Sequence, residues 1–167
     1  MTMKISNRNL TIFLFFVCLL SRVATSIFYI EDIDSLRFAL SLHEFNVLKL
    51  QPHFPGYPVF IVLAKGLYFI TKSMGITFSI IGGLSLFVLI IFTLKLFYLK
   101  LNSVQGLLCA FLLFLNPFFW LMSNRYMPDL MGLCVSTASL FLLTISKDRL
   151  RLLLIGFFLV GILCGTR

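Results

Sequence analysis

The sequence predicts an all-α polytopic membrane protein, and three observations carry that expectation. Of 167 residues, 60% are hydrophobic and only 12% are charged, where soluble domains carry about a quarter charged residues. The mean hydropathy is +1.04, and a core large enough to hide that much apolar surface from water does not exist at this length. The apolar residues also fall in runs near the length of about 20 residues that a spanning helix needs. Lipid is therefore the expected solvent for most of the chain, and its 20 Phe residues suit both lipid-facing and helix-packing surfaces.

In chain order, the first apolar run covers residues 10–27 behind Lys4 and Arg8. It has the form of a secretory signal as well, but later segments anchor the chain either way, and an uncleaved first helix is expected. Further spans are expected at 76–98, 104–122 and 129–145, with a fifth apolar run at 150–164. Asn116-Pro117 should break or kink the third of these spans. No internal repeat, low-complexity tract or linker divides the sequence, so residues 1–167 read as one transmembrane domain of about five helices. The four cysteines each sit inside an apolar run without metal-ligand spacing and read as packing residues.

The segment 57–71 is short and carries Lys65 at its middle. A mid-membrane Lys costs about 2.5–3.5 kcal/mol, which alone does not exclude a span, so the charge pattern has to decide. If 57–71 does not cross and the N-terminus is cytoplasmic, then Lys4 and Arg8, Lys95 and Lys100, and Lys147, Arg149 and Arg151 all fall inside. A crossing at 57–71 would send the last two groups outside. An interfacial or re-entrant helix on the outer face is therefore expected, and interfacial helices belong to the first outer loop. The same parity places the loop 31–58 and the loop 123–128 on one side. Five of the six acidic residues, Glu31, Asp32, Asp34, Glu44 and Asp129, then lie together there.

Three polar constellations follow. Glu31-Asp32-Ile33-Asp34-Ser35 comes directly after the first span. In a short helix, Asp34 and Phe38 share a face, and Leu36, Ala39, Leu40 and Leu42 can lie on the membrane surface. This is either a solvated acidic loop or a general base at the water–lipid boundary, where partial desolvation raises a carboxylate pKa toward working pH. Gln51-Pro52-His53-Phe54-Pro55-Gly56-Tyr57-Pro58 forces a rigid extended turn. It either only delivers the next helix or also holds His53 and Tyr57 beside the acidic loop. In Asn124-Arg125-Tyr126-Met127-Pro128-Asp129, Pro128 and Asp129 suit the first turn of a helix, and Arg125 is a natural phosphate ligand. Arg22 and Lys65 are similar candidates, or else snorkel to headgroups.

The net charge of +8 would suggest nucleic acid in a soluble protein. Here the cations are scattered among apolar runs, so membrane topology and phosphate or lipid headgroups explain them better, and no nucleic-acid partner is expected. No P-loop, HExxH, GxSxG or dinucleotide fingerprint is present, and no cofactor, haem or zinc is expected.

Taken in order, the N-terminal span, the run Asp34-Ser35-Leu36-Arg37-Phe38-Ala39-Leu40 and the run His53-Phe54-Pro55-Gly56-Tyr57-Pro58 resemble the start of a GT-C-type membrane glycosyltransferase. The likeness is to bacterial groups related to protein mannosyltransferases and lipid A aminoarabinose transferases. Arg125-Tyr126-Met127-Pro128-Asp129 is similar to that pattern's Arg and Asp before a later helix. Gly161-Ile162-Leu163-Cys164-Gly165-Thr166-Arg167 is similar to another recurrent helix.

The resemblance implies transfer of a hexose or pentose from a polyprenyl-phosphate donor to a glycan, lipid or protein acceptor on the extracytoplasmic face, in the bacterial inner membrane. It makes Asp34 the first-loop catalytic carboxylate, with Asp32 or Glu31 close behind. That carboxylate takes the acceptor proton while the sugar leaves its phosphate with inversion, and Arg125, Lys65 or His53 offsets the leaving charge. Tyr57 and Asp129 join the substrate-binding set, and nothing in the sequence calls for a metal. Family members have many more transmembrane helices, so the chain is expected to be the N-terminal part of a larger domain. The alternatives are a non-catalytic small membrane subunit or carrier of lipid-linked intermediates, and a transporter fragment.

Overall fold

The computed structural model describes residues 6–147 and 149–167; Lys4, counted above among the cytoplasmic cations, lies outside them. Among the described residues the fold is entirely helical, with eight α-helices and no strand. They are α1 (Asn7–Ala24), α2 (Ile33–Ser41), α3 (Pro58–Thr71), α4 (Met74–Leu96), α5 (Val104–Leu115), α6 (Pro117–Asn124), α7 (Asp129–Ser146) and α8 (Leu150–Thr166). The chain is an integral membrane protein: α1, α4 and α7 are each long and apolar enough to cross a bilayer, and the α5–α6 pair makes a fourth candidate span. Against the five spans expected, length and composition supply three or four. α8 is apolar but has 17 residues.

α4 is the hub, packed against α1, α3, α5, α6 and α7. Without much hydrophobic drive between helices in lipid, close packing at small residues holds such bundles together. Gly82 and Gly83 do this on two sides of α4. A Cβ on Gly82 would strike the backbone of Ser123 at the end of α6, and one on Gly83 would lie 3.0 Å from the Cys18 carbonyl of α1. On α8, Gly156 lies against Leu143 of α7 and accepts through its carbonyl a 3.0 Å bond from Ser139 Oγ.

Asn116-Pro117 breaks the third span as expected, and the two halves meet at 55°. Pro117 has no N–H to donate, and Phe118 N donates to Asn116 Oδ1 at 2.9 Å instead of continuing the helical ladder. The Phe114 carbonyl is thereby freed and accepts from Arg22 Nη2 at 3.3 Å. Arg22 is fully buried, its guanidinium stacked 3.6 Å over Trp120 and 5.0 Å from Phe114. The expectation that Arg22 snorkels or binds phosphate is corrected: it satisfies a backbone carbonyl left open by a helix break.

The bundle is polarised. At one end, the start of α1 meets Leu101 of the α4–α5 turn, and Phe92 of α4 meets Phe141 of α7; Lys95 and Lys100 belong to this end. At the other, Asn124 bonds Thr25 and Tyr126 bonds Ile27. α3 begins and finishes at this second end. Its Val59 lies against Gly165 near the end of α8, while Thr71 Oγ1 hydrogen-bonds Thr77 Oγ1 in the first turn of α4 at 2.6 Å. It therefore does not traverse the bundle, in keeping with the non-crossing helix that the charge pattern implied.

Candidate functional site

The polar end is built by local capping first. Asp32 Oδ1 accepts from Ser35 N at 2.7 Å and starts α2. Asp34 follows in the first turn, where the helix dipole favours a carboxylate, and its Oδ1 is 3.1 Å from Arg37 Nη1 one turn on. Phe38 is buried, and with Ala39 and Leu42 it joins a cluster containing Phe60, Phe78 and Tyr126. Ala39 and Leu42 thus face protein rather than the membrane surface that the sequence reading gave them. Helical spacing sets them on the flank of Phe38, and α3 covers that flank. Leu36 and Leu40 remain exposed, as does Ile33.

After α2, Asn46 folds the chain back. Its side-chain oxygen accepts from Leu48 N and Lys49 N, and its backbone pairs with Gln51 in both directions at 2.7 and 2.9 Å. Glu44 pairs with Lys49 at this exposed turn, and that hydrogen bond lowers the Glu44 pKa. The proline-rich run then turns on Gly56, whose N–H donates to the His53 carbonyl at φ +94°. Tyr57 caps α3 at φ 48°, ψ 50°, a left-handed conformation uncommon for a bulky residue. That turn carries the phenol back to His53: Tyr57 OH lies 3.0 Å from His53 Nε2, and His53 Nδ1 lies 3.6 Å from Asp34 Oδ1. Phe38 presents edge contacts to both rings, with centroids 5.6 and 5.1 Å away.

The second polar loop meets the first. Asn124 Nδ2 donates to Thr25 O and Oγ1 at 2.7 and 2.8 Å, and Tyr126 OH donates to Ile27 O at 2.6 Å while its ring stacks on Phe78. Between them, Arg125 Nε reaches Glu31 Oε2 at 2.9 Å and a second guanidinium nitrogen pairs with Asp32. Asp129 opens α7 and pairs with Arg167 from the end of α8. Gly132 lies beside this pair, and a Cβ there would make ordinary contact with Arg167 Cβ at 3.4 Å.

Two cavities flank the Asp129–Arg167 pair. One, of about 240 Å³, is lined by Asp34, Phe38, His53, Tyr57, Asp129 and Arg167. The other, of about 480 Å³, adds Arg125 to that pair and has apolar walls from Phe118, Met122, Leu130 and Leu133. Burial raises the Tyr57 phenol pKa above its ordinary value; Arg167 opposes that, and Asp129 and Asp34 add to it. A third hollow of about 560 Å³ between α1 and α5 is lined wholly by apolar side chains and offers no chemistry.

Of the residues singled out from sequence, Asp34, His53, Tyr57 and Asp129 share one cavity, and Arg125 holds Glu31 and Asp32 beside it. Lys65 lies along α3 and lines neither cavity. Asp32 and Glu31 are both engaged by Arg125, and neither lines the cavity that holds Asp34. Two residues were missed. Arg37 had a local signal, three residues after Asp34 on a helix; Arg167 closed a run noted only for its resemblance, and no spacing tied it to Asp129, which tertiary packing alone brings to it. Among the described residues no three His, Cys, Asp or Glu side chains are grouped to hold a metal ion. Compared with known protein families, curated proteins and solved structures, the chain matches none of them.

Proposed function

We propose that the chain is a GT-C-type glycosyltransferase, or the N-terminal part of one, which moves a sugar from a polyprenyl-phosphate donor to an acceptor hydroxyl. The observation that carries this reading is the pair of neighbouring cavities with complementary chemistry. One has guanidinium groups from Arg125 and Arg167 above the apolar walls Phe118, Met122 and Leu130, which suits a phosphate attached to a hydrocarbon chain. The next holds Asp34 with His53 and Tyr57, which suits proton removal from a hydroxyl. The shared Asp129–Arg167 pair is where donor and acceptor would meet. In this reading α8 completes a fifth span, the N-terminus is cytoplasmic, and the polar end faces outward from a bacterial inner membrane.

The test is transfer in proteoliposomes from a panel of polyprenyl-phosphate hexoses and pentoses, followed by release of polyprenyl phosphate. Wild-type turnover that falls by 10²-fold or more in Asp34→Asn, with insertion unchanged, is the expected result. Equal turnover by the variant removes Asp34 from the chemistry. One observation favours a second reading: Glu31, Asp32, Asp34 and Asp129 each already contact a cation. A closed network of that kind would also suit a non-catalytic subunit or carrier. Absence of turnover with every donor, together with a stable complex with another membrane protein, would favour it.

A further inference from the structure

Asp34 does not stand alone at the polar end. Three side chains from two separate segments stand in series: Asp34 Oδ1, His53 Nδ1 at 3.6 Å, and His53 Nε2 within 3.0 Å of Tyr57 OH. An ionised carboxylate only accepts hydrogen bonds, so an ionised Asp34 would favour the tautomer with the proton on the ring nitrogen that faces it. The other nitrogen, Nε2, is then an acceptor, and the Tyr57 hydroxyl donates to it. The Tyr57 oxygen keeps its lone pairs for the cavity that it lines.

Backbone and packing hold the series in place. Tyr57 sits in the left-handed region at φ 48°, a cost that persists only where the surroundings enforce it. Phe38, nearly inaccessible itself, makes edge contacts with both rings. His53 Nδ1 is buried without a hydrogen-bond partner at the 3.6 Å separation. A closure of about 0.6 Å toward Asp34 would satisfy it, as happens when catalytic hydrogen bonds tighten around a bound substrate. Asp34 meanwhile is held by Arg37 at 3.1 Å, which suits it to steady a neighbouring cation rather than to travel to a substrate. The charged groups around the series are Asp34 and Arg37 from α2, Asp129 from α7 and Arg167 from α8.

We infer that Tyr57, His53 and Asp34 form a proton relay in which the Tyr57 oxygen is the group that touches the acceptor hydroxyl. The acceptor oxygen bonds to the anomeric carbon as the carbon–oxygen bond to the lipid phosphate breaks, its electron pair leaving on the phosphate. The acceptor proton passes to the Tyr57 oxygen while Tyr57's own proton passes to His53 Nε2. The product state is an imidazolium against the Asp34 carboxylate, the arrangement by which a carboxylate stabilises a charged imidazole in hydrolytic triads. Tyr57 is then the catalytic residue, and His53 and Asp34 act through it.

This inference rests on the transferase reading for its substrate, but its first test does not. The chain has two histidines, His43 and His53, so ¹⁵N-labelled protein in nanodiscs gives two imidazole signatures. The relay requires the Nδ1–H tautomer at His53, and Tyr57→Phe should shift the His53 Nε2 resonance while leaving His43 unchanged. An Nε2–H tautomer, or a His53 spectrum indifferent to Tyr57→Phe, overturns the relay whatever the protein transfers.

In the transfer assay, Tyr57→Phe and His53→Gln should each lose 10²-fold or more in turnover, with donor binding retained. Full turnover by a folded Tyr57→Phe variant overturns the relay and leaves the transferase reading standing. No turnover by wild type, with the expected tautomer present, overturns the transferase reading and leaves the Asp34–His53–Tyr57 series standing.

Discussion

The backbone of Ser123 occupies the space that a Cβ on Gly82 would need. This contact sets the end of α6 against the middle of α4, and the residues after it, Asn124, Arg125 and Tyr126, bond Thr25, Glu31, Asp32 and Ile27. A glycine on the hub helix thus decides where the second polar loop meets the first.

Gly82→Ala should therefore destabilise the bundle. Alanine gains about 0.5–1 kcal/mol over glycine in a helix, but overpacking against backbone costs about 1–3 kcal/mol, and the backbone of Ser123 has no rotamer with which to yield. Gly161→Ala is the control, since nothing lies within 4 Å of the added methyl. Thermal unfolding in detergent should show a lower midpoint for Gly82→Ala and an equal or higher one for Gly161→Ala. Equal midpoints for both would contradict the close approach.

Arg22 should not be replaceable by lysine. Its flat guanidinium both stacks on Trp120 and reaches the Phe114 carbonyl, and an ammonium supplies charge without that shape. Arg22→Lys and Arg22→Gln are expected to destabilise the fold alike, by about 1–3 kcal/mol for a buried carbonyl left unpaired, and so to lower the unfolding midpoint. Because Trp120 is the one tryptophan in the sequence, its emission reports on the stack directly and should change in both variants. Wild-type emission and stability in Arg22→Lys would mean that charge alone is needed.

The sequence made some of this legible and not the rest, and the dividing line is the range of the contacts. Apolar run length located α1, α4 and α7, and Asn116-Pro117 announced the bend, because those signals are local. Charge parity brought the loops 31–58 and 123–128 to one end. It could not separate Arg125, which lines a cavity, from Lys65, a cation of the same sign on a stretch of α3 that lines neither polar cavity. The partner of Arg22 lies 92 residues away and that of Asn124 lies 99 away, and no spacing rule reaches so far. Ala39 and Leu42 were given to the membrane surface because an apolar helix flank looks the same whether lipid or α3 covers it.

Tyr126 gives a pH dependence with a definite sign. Burial raises its phenol above the ordinary value of 10.0, so the folded state holds the proton more tightly than the unfolded chain. The stabilisation is then fully present below about pH 10 and is lost as pH rises through the folded value. Unfolding midpoints compared between wild type and Tyr126→Phe should converge as the medium becomes alkaline. At neutral pH the variant should be less stable by about 0.5–1.5 kcal/mol, since the Ile27 carbonyl loses its donor. A pH-independent difference would contradict the burial of the phenol.

The two ends of the bundle should lie on opposite sides of the membrane. A reporter fused after Lys100 is expected to read cytoplasmic and one fused after Asn124 extracytoplasmic, following the gathering of Lys95, Lys100, Lys147, Arg149 and Arg151 away from the polar loops. The reverse pattern would turn the acidic end inward and remove the extracytoplasmic placement of the site.

The most direct test of the central claim is photo-crosslinking with a diazirine-bearing polyprenyl-phosphate sugar, followed by mapping of the labelled residues. Binding in the cleft between α6 and α7 should label Phe118, Met122, Met127, Leu130 and Leu133, and excess unlabelled polyprenyl phosphate should compete. Labelling confined to the apolar hollow lined by Leu10, Phe13, Leu108 and Phe111, or insensitive to competitor, would contradict a lipid-linked donor at the polar end.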